Sequence, residues 1–161
     1  AESAAAVTRA VRKAVEIPIS IKLAPNVPEI GRIAQAVAAE GADAITAVNT
    51  MPAMAIDAVA AKPILSNCTG GLSGPALKPI ALRCVYEIAQ AVPLPIIGTG
   101  GISCGRDAAE MLMAGATLVG VGSAVVNHGP AAFSHIQDEL RQFMAENGYA
   151  QIADVRGKAL P

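Results

Sequence analysis

The sequence predicts an α/β fold in which buried parallel strands alternate with amphipathic helices. Three observations support this prediction. Hydrophobic residues make up 53% of the 161 residues and charged residues only 16%, a composition that suits short strands buried on both faces. Apolar residues at helical spacing alternate along the chain with short, continuous apolar runs. The segment that begins at Gly41, a helix end running into a strand, recurs from Gly115.

The predicted elements begin with a helix over Glu2–Val15, because Val7, Val11 and Val15 lie at helical spacing. Four short apolar runs predict strands at Pro18–Leu23, Ala44–Val48, Pro95–Gly98 and Leu118–Gly122. Helical spacing of apolar residues predicts four more helices, which begin near Ile30, Leu77, Asp107 and Phe133. Three of these helices are predicted to end at a glycine: Gly41, Gly115 and Gly148.

The repeated segments predict two βαβ modules, and such repetition suits part of a (β/α)8 TIM barrel. A complete barrel needs about 250 residues and eight strands, whereas four strands are predicted here, so the chain is expected to form half a barrel. An open doubly wound sheet is the alternative. Its three-glycine dinucleotide fingerprint is absent after the first strand, where Ala24-Pro25-Asn26 stands instead.

Charge and cysteine content exclude several classes of function. With 12 basic and 13 acidic residues and no basic stripe, the chain is not expected to bind nucleic acid. Proline and glycine interrupt its longest uncharged stretches, so no membrane span is expected. Its first residues lack a signal-peptide pattern, which favours a cytoplasmic location. Cys68, Cys84 and Cys104 are widely spaced and predict neither a disulfide framework nor a metal site.

Polar side chains follow the first two predicted strands. Lys22 ends an apolar run and is costly to bury without a partner; either an anionic ligand neutralises it or its ammonium reaches water along the core. Asn49 and Thr50 follow the second strand and offer an amide and a hydroxyl suited to a small polar ring. An Asn-based turn is the structural alternative.

Glycine-rich segments point to a phosphate site. Gly70, Gly71 and Gly74 precede an apolar helix, and bare backbone there allows the close approach of an anion. Gly100 and Gly101 follow the third strand, and Gly122 and Ser123 follow the fourth. Because the loops after the last two strands of a TIM barrel commonly bind phosphate, we expect their N–H groups to converge on one phosphate. No catalytic role is assigned to His128 or His135.

Together these motifs resemble those of the class 1B dihydroorotate dehydrogenases, the NAD-linked flavoenzymes of pyrimidine synthesis. The matching segments are Ile21–Asn26, Val48–Thr50, Met54–Asp57, Gly70–Arg83, Pro95–Ile102 and Gly122–Ala124. Dihydropyrimidine dehydrogenases share some of these elements. The Met-Ala-Ile-Asp and Gly-Leu-Ser-Gly-Pro forms favour the dihydroorotate group.

The resemblance implies that residues 1–161 form the C-terminal half of a TIM-barrel domain that binds flavin mononucleotide (FMN) and oxidises dihydroorotate to orotate. It places Gly74, Gly100, Gly101, Gly122 and Ser123 at the FMN phosphate, Lys22 and Val48 at the isoalloxazine, and Asn49 and Thr50 at the substrate ring. It also implies a partner subunit carrying FAD and a 2Fe–2S cluster, which passes electrons to NAD, in a homo-oligomer or heterotetramer.

One departure from the family concerns catalysis. The family's cysteine base lies in an upstream half that the sequence does not contain, and none of the three cysteines matches its motif, so no catalytic residue is assigned and residues 1–161 alone are expected to be inactive. Two alternatives stay open. One is a non-redox barrel enzyme that binds a phosphorylated metabolite, and the other is a non-catalytic half-barrel that binds flavin or a partner chain.

Overall fold

The computed structural model describes all 161 residues and contains one four-stranded parallel sheet. The parallel strands are β1 (Ser20–Leu23), β2 (Ala44–Ala47), β7 (Ile96–Thr99) and β8 (Leu118–Gly120). They lie in the order β1-β2-β7-β8, so each strand neighbours the next parallel strand of the chain without a reversal. A doubly wound sheet reverses its strand order, and these four strands show no such switch.

Helices connect the strands and pack side by side against the sheet. They are α1 (Glu2–Ala14), α2 (Ile30–Ala39), α3 (Lys78–Ala91), α4 (Gly105–Met113), α5 (Ser123–His128), α6 (Ala131–Glu146) and α7 (Ile152–Val155), with a 3-10 turn at Pro75–Leu77. Helix α1 contacts α2, α2 contacts α3, α3 contacts α4, and α4 contacts α6. None of these helices has both the length and the hydrophobicity needed to span a membrane.

The sequence therefore predicted the four parallel strands and the five longer helices. The strand boundaries differ by one or two residues, and α4 begins at Gly105 because Cys104 serves as its N-cap. Helices α5 and α7 were not predicted, since six and four residues are too few to establish a hydrophobic period.

The two faces of the parallel sheet differ in burial. One face contributes Ile45, Ala47 and Ile96 to a core of 23 buried residues, most of the others on the helices. The opposite face carries Lys22, which is exposed, and Leu118, which is 61% exposed. The expectation of strands buried on both faces is thus wrong for one face of this sheet.

A mostly exposed segment, residues 51–72, lies between β2 and α3 and is called the arm. It contains two antiparallel ribbons, in which β3 (Met51–Ala53) pairs with β6 (Gly70–Leu72) and β4 (Ile56–Asp57) pairs with β5 (Lys62–Pro63). No pattern in the sequence predicts these strands. They have two or three residues each, and antiparallel pairing between distant segments leaves no local period to detect.

Candidate functional site

A cleft of about 500 Å³ lies at the carboxyl ends of the parallel strands. In barrel-type α/β proteins this edge holds the functional site. Nine residues are placed at the site by the family resemblance, and eight of them line this one cleft: Lys22, Val48, Thr50, Gly74, Gly100, Gly101, Gly122 and Ser123. These residues come from five separate segments of the chain. Four of the segments lie at the carboxyl ends of the parallel strands, and the fifth, at Gly74, precedes the 3-10 turn before α3.

Asn49 is the one residue of these nine that does not line the cleft. Its side chain is exposed, and its Oδ1 accepts a hydrogen bond from the Thr50 N–H at 3.0 Å. The backbone N–H of Asn49 donates to the Leu23 carbonyl at 2.8 Å. The structural alternative, an Asn side chain that orders its own turn, describes these contacts, and a substrate-binding role for Asn49 stays a prediction.

Gly74 joins the glycine segments at the cleft. It has φ +83° and is buried, and a Cβ atom there would lie 3.8 Å from the Ser123 Oγ. A Cβ atom at Gly101, where φ is +76°, would lie 2.8 Å from the Gly74 carbonyl oxygen and 2.7 Å from the Lys78 nitrogen. Such a distance requires the backbone to move. Three loops therefore meet at Gly74, and glycine is required where two of them touch.

The backbone amides at this rim have no acceptor within the protein. The N–H groups of Gly100, Gly101, Gly122 and Ser123 make none of the chain's backbone or side-chain hydrogen bonds. Unpaired N–H groups on two neighbouring loops are the donors that bind phosphate and similar anions. The rim thus has hydrogen-bonding capacity for an anionic group.

Gly122 differs from the other rim glycines. A Cβ atom at this position would meet no protein atom within 4 Å, and its φ of −119° is open to other residues. Packing within the chain therefore gives no reason for glycine here. A ligand that approaches the backbone closely would give one.

Lys22 supplies the only charged side chain that lines the cleft. It is exposed, and no carboxylate lies within 4.0 Å of its ammonium, since the ion pairs of the chain do not include it. The cleft therefore combines one positive charge with unpaired N–H groups and lacks any carboxylate. Such a lining attracts an anion and repels a cation.

Two of the predicted anion-binding glycines lie elsewhere. Gly70 and Gly71 belong to strand β6 and do not line the cleft. A Cβ atom at Gly70 would lie 2.6 Å from the Leu65 Cδ1, and one at Gly71 would lie 2.6 Å from the Thr50 Cβ. Their lack of a side chain thus makes room for neighbouring side chains, and close approach of a ligand at these two glycines stays a prediction.

An ion-pair network that the sequence analysis missed lies behind the rim. The Lys78 Nζ donates to the Asp107 Oδ1 at 2.6 Å and to the Glu110 Oε2 at 2.8 Å. The Asp107 Oδ2 accepts from the Ser103 N–H at 2.9 Å, from its Oγ at 2.8 Å and from the Cys104 N–H at 3.2 Å. Lys78 and Asp107 are distant in sequence, so no spacing pattern connects them.

Electrostatics keep Asp107 ionised. Burial would raise the pKa of this carboxyl, but hydrogen bonds from Lys78 and Ser103 outweigh burial and lower its pKa to about 2. The same contacts with Asp107 and Glu110 raise the pKa of Lys78. Both groups are therefore charged at neutral pH, and the network is a fixed ion pair.

Other candidates have structural roles or lie apart. Cys104 caps α4, Cys84 is buried and Cys68 is exposed, and none of the three lines the cleft. His128 and His135 line a separate pocket of about 200 Å³.

The fold and the cleft define the class of protein. It is an α/β protein with a four-stranded parallel sheet and a cleft, at the carboxyl ends of the strands, whose lining is suited to an anionic group. Residues 1–144 match the protein family described as "Dihydroorotate dehydrogenase". The chain belongs to the dihydroorotate dehydrogenase family.

Individual relatives agree with this membership. The chain is 43% identical over 159 residues to the dihydroorotate dehydrogenase B (NAD(+)) catalytic subunit of Thermococcus kodakarensis, a match that covers 99% of this chain and 53% of that protein. Its identity to the subunit of the same name from Porphyromonas gingivalis is 50% over 156 residues, covering 97% and 50%. The chain thus spans about half the length of the relatives it matches.

Proposed function

We propose that this chain is the C-terminal half of a TIM-barrel catalytic subunit that oxidises dihydroorotate to orotate in pyrimidine biosynthesis with FMN as cofactor. Residues 1–161 would then form one part of a single barrel domain. The observation that carries the proposal is the convergence of Lys22, Thr50 and three glycine loops on one cleft. Membership of the dihydroorotate dehydrogenase family supports the choice of reaction.

The lining of the cleft fits the phosphate of FMN. Four N–H groups without protein acceptors belong to Gly100, Gly101, Gly122 and Ser123, and a phosphate monoester offers three oxygens that accept from such donors. Gly74 completes this rim through its proximity to Ser123. The absence of a carboxylate from the lining removes the repulsion that a dianion would otherwise meet.

The side chains of Lys22, Val48 and Thr50 in the cleft fit a flavin ring and a polar substrate. Val48 offers an apolar surface, and the unpaired ammonium of Lys22 favours negative charge on the ring. FMN, when bound, supplies the two-electron acceptor for oxidation of the substrate. The Thr50 hydroxyl lines the same cleft and would hydrogen-bond the dihydroorotate ring, with Asn49 beside it as a second candidate contact.

We assign no residue of 1–161 as the base that accepts the substrate's proton. Cys68, Cys84 and Cys104 do not line the cleft, and the cysteine base implied by the family resemblance belongs to an upstream half. We therefore propose that residues 1–161 alone lack catalytic activity.

We also propose a partner subunit with FAD and a 2Fe–2S cluster that passes electrons to NAD, within a homo-oligomer or heterotetramer in the cytoplasm.

The test uses the full-length protein that contains this chain. The purified protein is titrated with FMN, and flavin absorbance is followed anaerobically after dihydroorotate is added. Tight FMN binding and bleaching of the flavin by dihydroorotate are expected. In the Lys22→Met variant bleaching should slow, whereas in the control variant Lys62→Met, on the exposed arm, it should not.

Two outcomes would overturn the proposal. A protein that fails to bind FMN but binds a sugar phosphate would be a non-redox enzyme of the barrel class. A protein that binds FMN, assembles with its partner and never reduces the flavin with dihydroorotate would be a non-catalytic flavin-binding half-barrel.

A further inference from the structure

We propose that Lys78 and Asp107 are positioning residues that hold the Gly74 loop and the Gly100–Gly101 loop against each other, so that the rim amides converge on the ligand's phosphate. Neither residue lines the cleft, so the pair acts through the loops that do. The inference rests on the proposed FMN site, and it adds to that site the element that sets its geometry.

Asp107 fixes the loop that follows β7. Its Oδ2 accepts three hydrogen bonds from Ser103 and Cys104, the residues that lead from the Gly100–Gly101 pair into α4. The carboxylate is largely buried, with 10% of its side chain exposed. A charged acceptor that holds three donors in such a place restricts the loop more strongly than a neutral one does.

Lys78 fixes the other loop. It is the first residue of α3 and follows the 3-10 turn whose N-cap is Gly74. Its backbone nitrogen lies 2.7 Å from the position that a Cβ atom at Gly101 would take, so the two loops already touch at this residue. The ion pair of 2.6 Å with Asp107 joins the same two segments through side chains.

The chain also contains a matched control for this arrangement. Helices α4 and α7 both begin with a capping box, in which the side chain of the third helical residue accepts from the N-cap backbone: Asp107 in α4 and Asp154 in α7. Asp154 makes no ion pair and does not line the cleft. The variants Asp107→Asn and Asp154→Asn therefore weaken the same kind of cap by removing its charge, but only the first also removes the ion pair with Lys78.

The experiment measures the affinities of the full-length protein for FMN and for riboflavin, which lacks the phosphate. Asp107→Asn and Lys78→Met should each weaken FMN binding about tenfold, since each loses a charged hydrogen bond that fixes the rim, and should leave riboflavin binding unchanged. The double variant should lose little more than either single variant, because the pair acts as a unit. Lys78→Arg, which retains a cation, should recover part of the affinity.

Crystal structures of the ligand-free variants provide a second measurement that does not need FMN. Residues 100–104 should move away from Gly74 in Asp107→Asn and stay in place in Asp154→Asn. If Asp107→Asn does not fold, Ser103→Ala removes one of the three hydrogen bonds and should give a smaller effect in the same direction.

Each outcome decides the inference. Equal losses for FMN and riboflavin, or an unchanged FMN affinity with unmoved loops, would show that the pair only stabilises the fold. If the wild-type protein binds no FMN, the proposed function fails, and the ligand-free structures still show whether the pair positions the loops.

Discussion

The two βαβ modules of the parallel sheet have the same arrangement of elements but contribute different groups to the cleft. The first consists of β1, α2 and β2, and the second of β7, α4 and β8. In both, a glycine with positive φ follows the helix, Gly41 at +90° and Gly115 at +112°. At the carboxyl ends of their strands, the first module places the side chains of Lys22 and Thr50 in the cleft, whereas the second places the bare backbone of two glycine loops there.

This difference separates two ways of building a binding site. A side chain can change while the backbone stays in place, but a rim of N–H groups depends on the position of the backbone itself. The second module is accordingly packed more tightly: a Cβ atom at Gly98 would lie 2.5 Å from the Met111 Cγ, and one at Gly100 would lie 2.7 Å from the Ala81 Cβ. Substitutions in the second module should therefore cost more stability than matched substitutions in the first.

The largest effect is expected at the glycines after the two helices. In Gly115→Ala the new methyl group would overlap the Cβ of Ala89 on α3, whereas in Gly41→Ala it would meet the flexible side chain of Arg12 at 3.1 Å. Both variants adopt a strained φ, so we expect a loss of about 1 kcal/mol for Gly41→Ala and about 3 kcal/mol for Gly115→Ala. Urea denaturation of the two variants measures this difference, and equal losses would contradict the asymmetry between modules.

The second expected effect is a loss of stability in acid that originates in the second module. Because the folded-state pKa of Asp107 is lowered to about 2 from 3.8, its contribution is complete above about pH 4 and is lost as the pH falls through 2. The shift corresponds to about 2 kcal/mol of unfolding free energy. Denaturation at decreasing pH should show this loss in the wild-type protein and not in Asp107→Asn.

Asp43→Asn is the matched control for the acid measurement in the first module. Asp43 also accepts a backbone hydrogen bond, from Ile19 at 2.7 Å, and pairs with Arg12, but its side chain is 46% exposed. The variant should keep the acid sensitivity of the wild-type protein, because Asp107 is retained. If Asp43→Asn lost that sensitivity, the acid-labile group would lie in the first module, and the prediction for Asp107 would be wrong.

Local patterns in the sequence predicted the framework better than they predicted the contacts between loops. Hydrophobic spacing indicated all four parallel strands. Residues after these strands and the glycine cluster before α3 indicated seven of the lining residues, and the family resemblance added Val48. The sequence does not indicate that Gly70 and Gly71 lie outside the cleft, because a glycine that faces a ligand and one that faces Thr50 look the same in a sequence. The Lys78–Asp107 pair was missed because its members belong to different helices, and only the packing of α3 against α4 brings them together.

A smaller effect is expected at Gly122, where the fold leaves open space. Gly122→Ala should not change the free energy of unfolding, because a Cβ atom there meets nothing within 4 Å. If the FMN phosphate approaches this backbone, the methyl group should weaken FMN binding about tenfold and leave riboflavin binding unaltered. Calorimetric titration with both flavins measures this; an unchanged FMN affinity would place the phosphate elsewhere.

The smallest effect is expected for Lys22, and it tests whether the two modules contact different parts of one ligand. Lys22 is exposed and has no carboxylate partner, so Lys22→Met should leave stability unchanged and weaken flavin binding by about 1 kcal/mol, or roughly fivefold. If its ammonium lies beside the flavin ring, FMN and riboflavin should lose affinity by the same factor. A loss confined to FMN would instead place Lys22 at the phosphate, and both modules would then bind the same end of the ligand.

Lys62→Met is the control, because it removes a positive charge from the exposed arm and so corrects both affinities for the change in net charge. After this correction, the ratio between the affinities for the two flavins separates a contact at the ring from a contact at the phosphate.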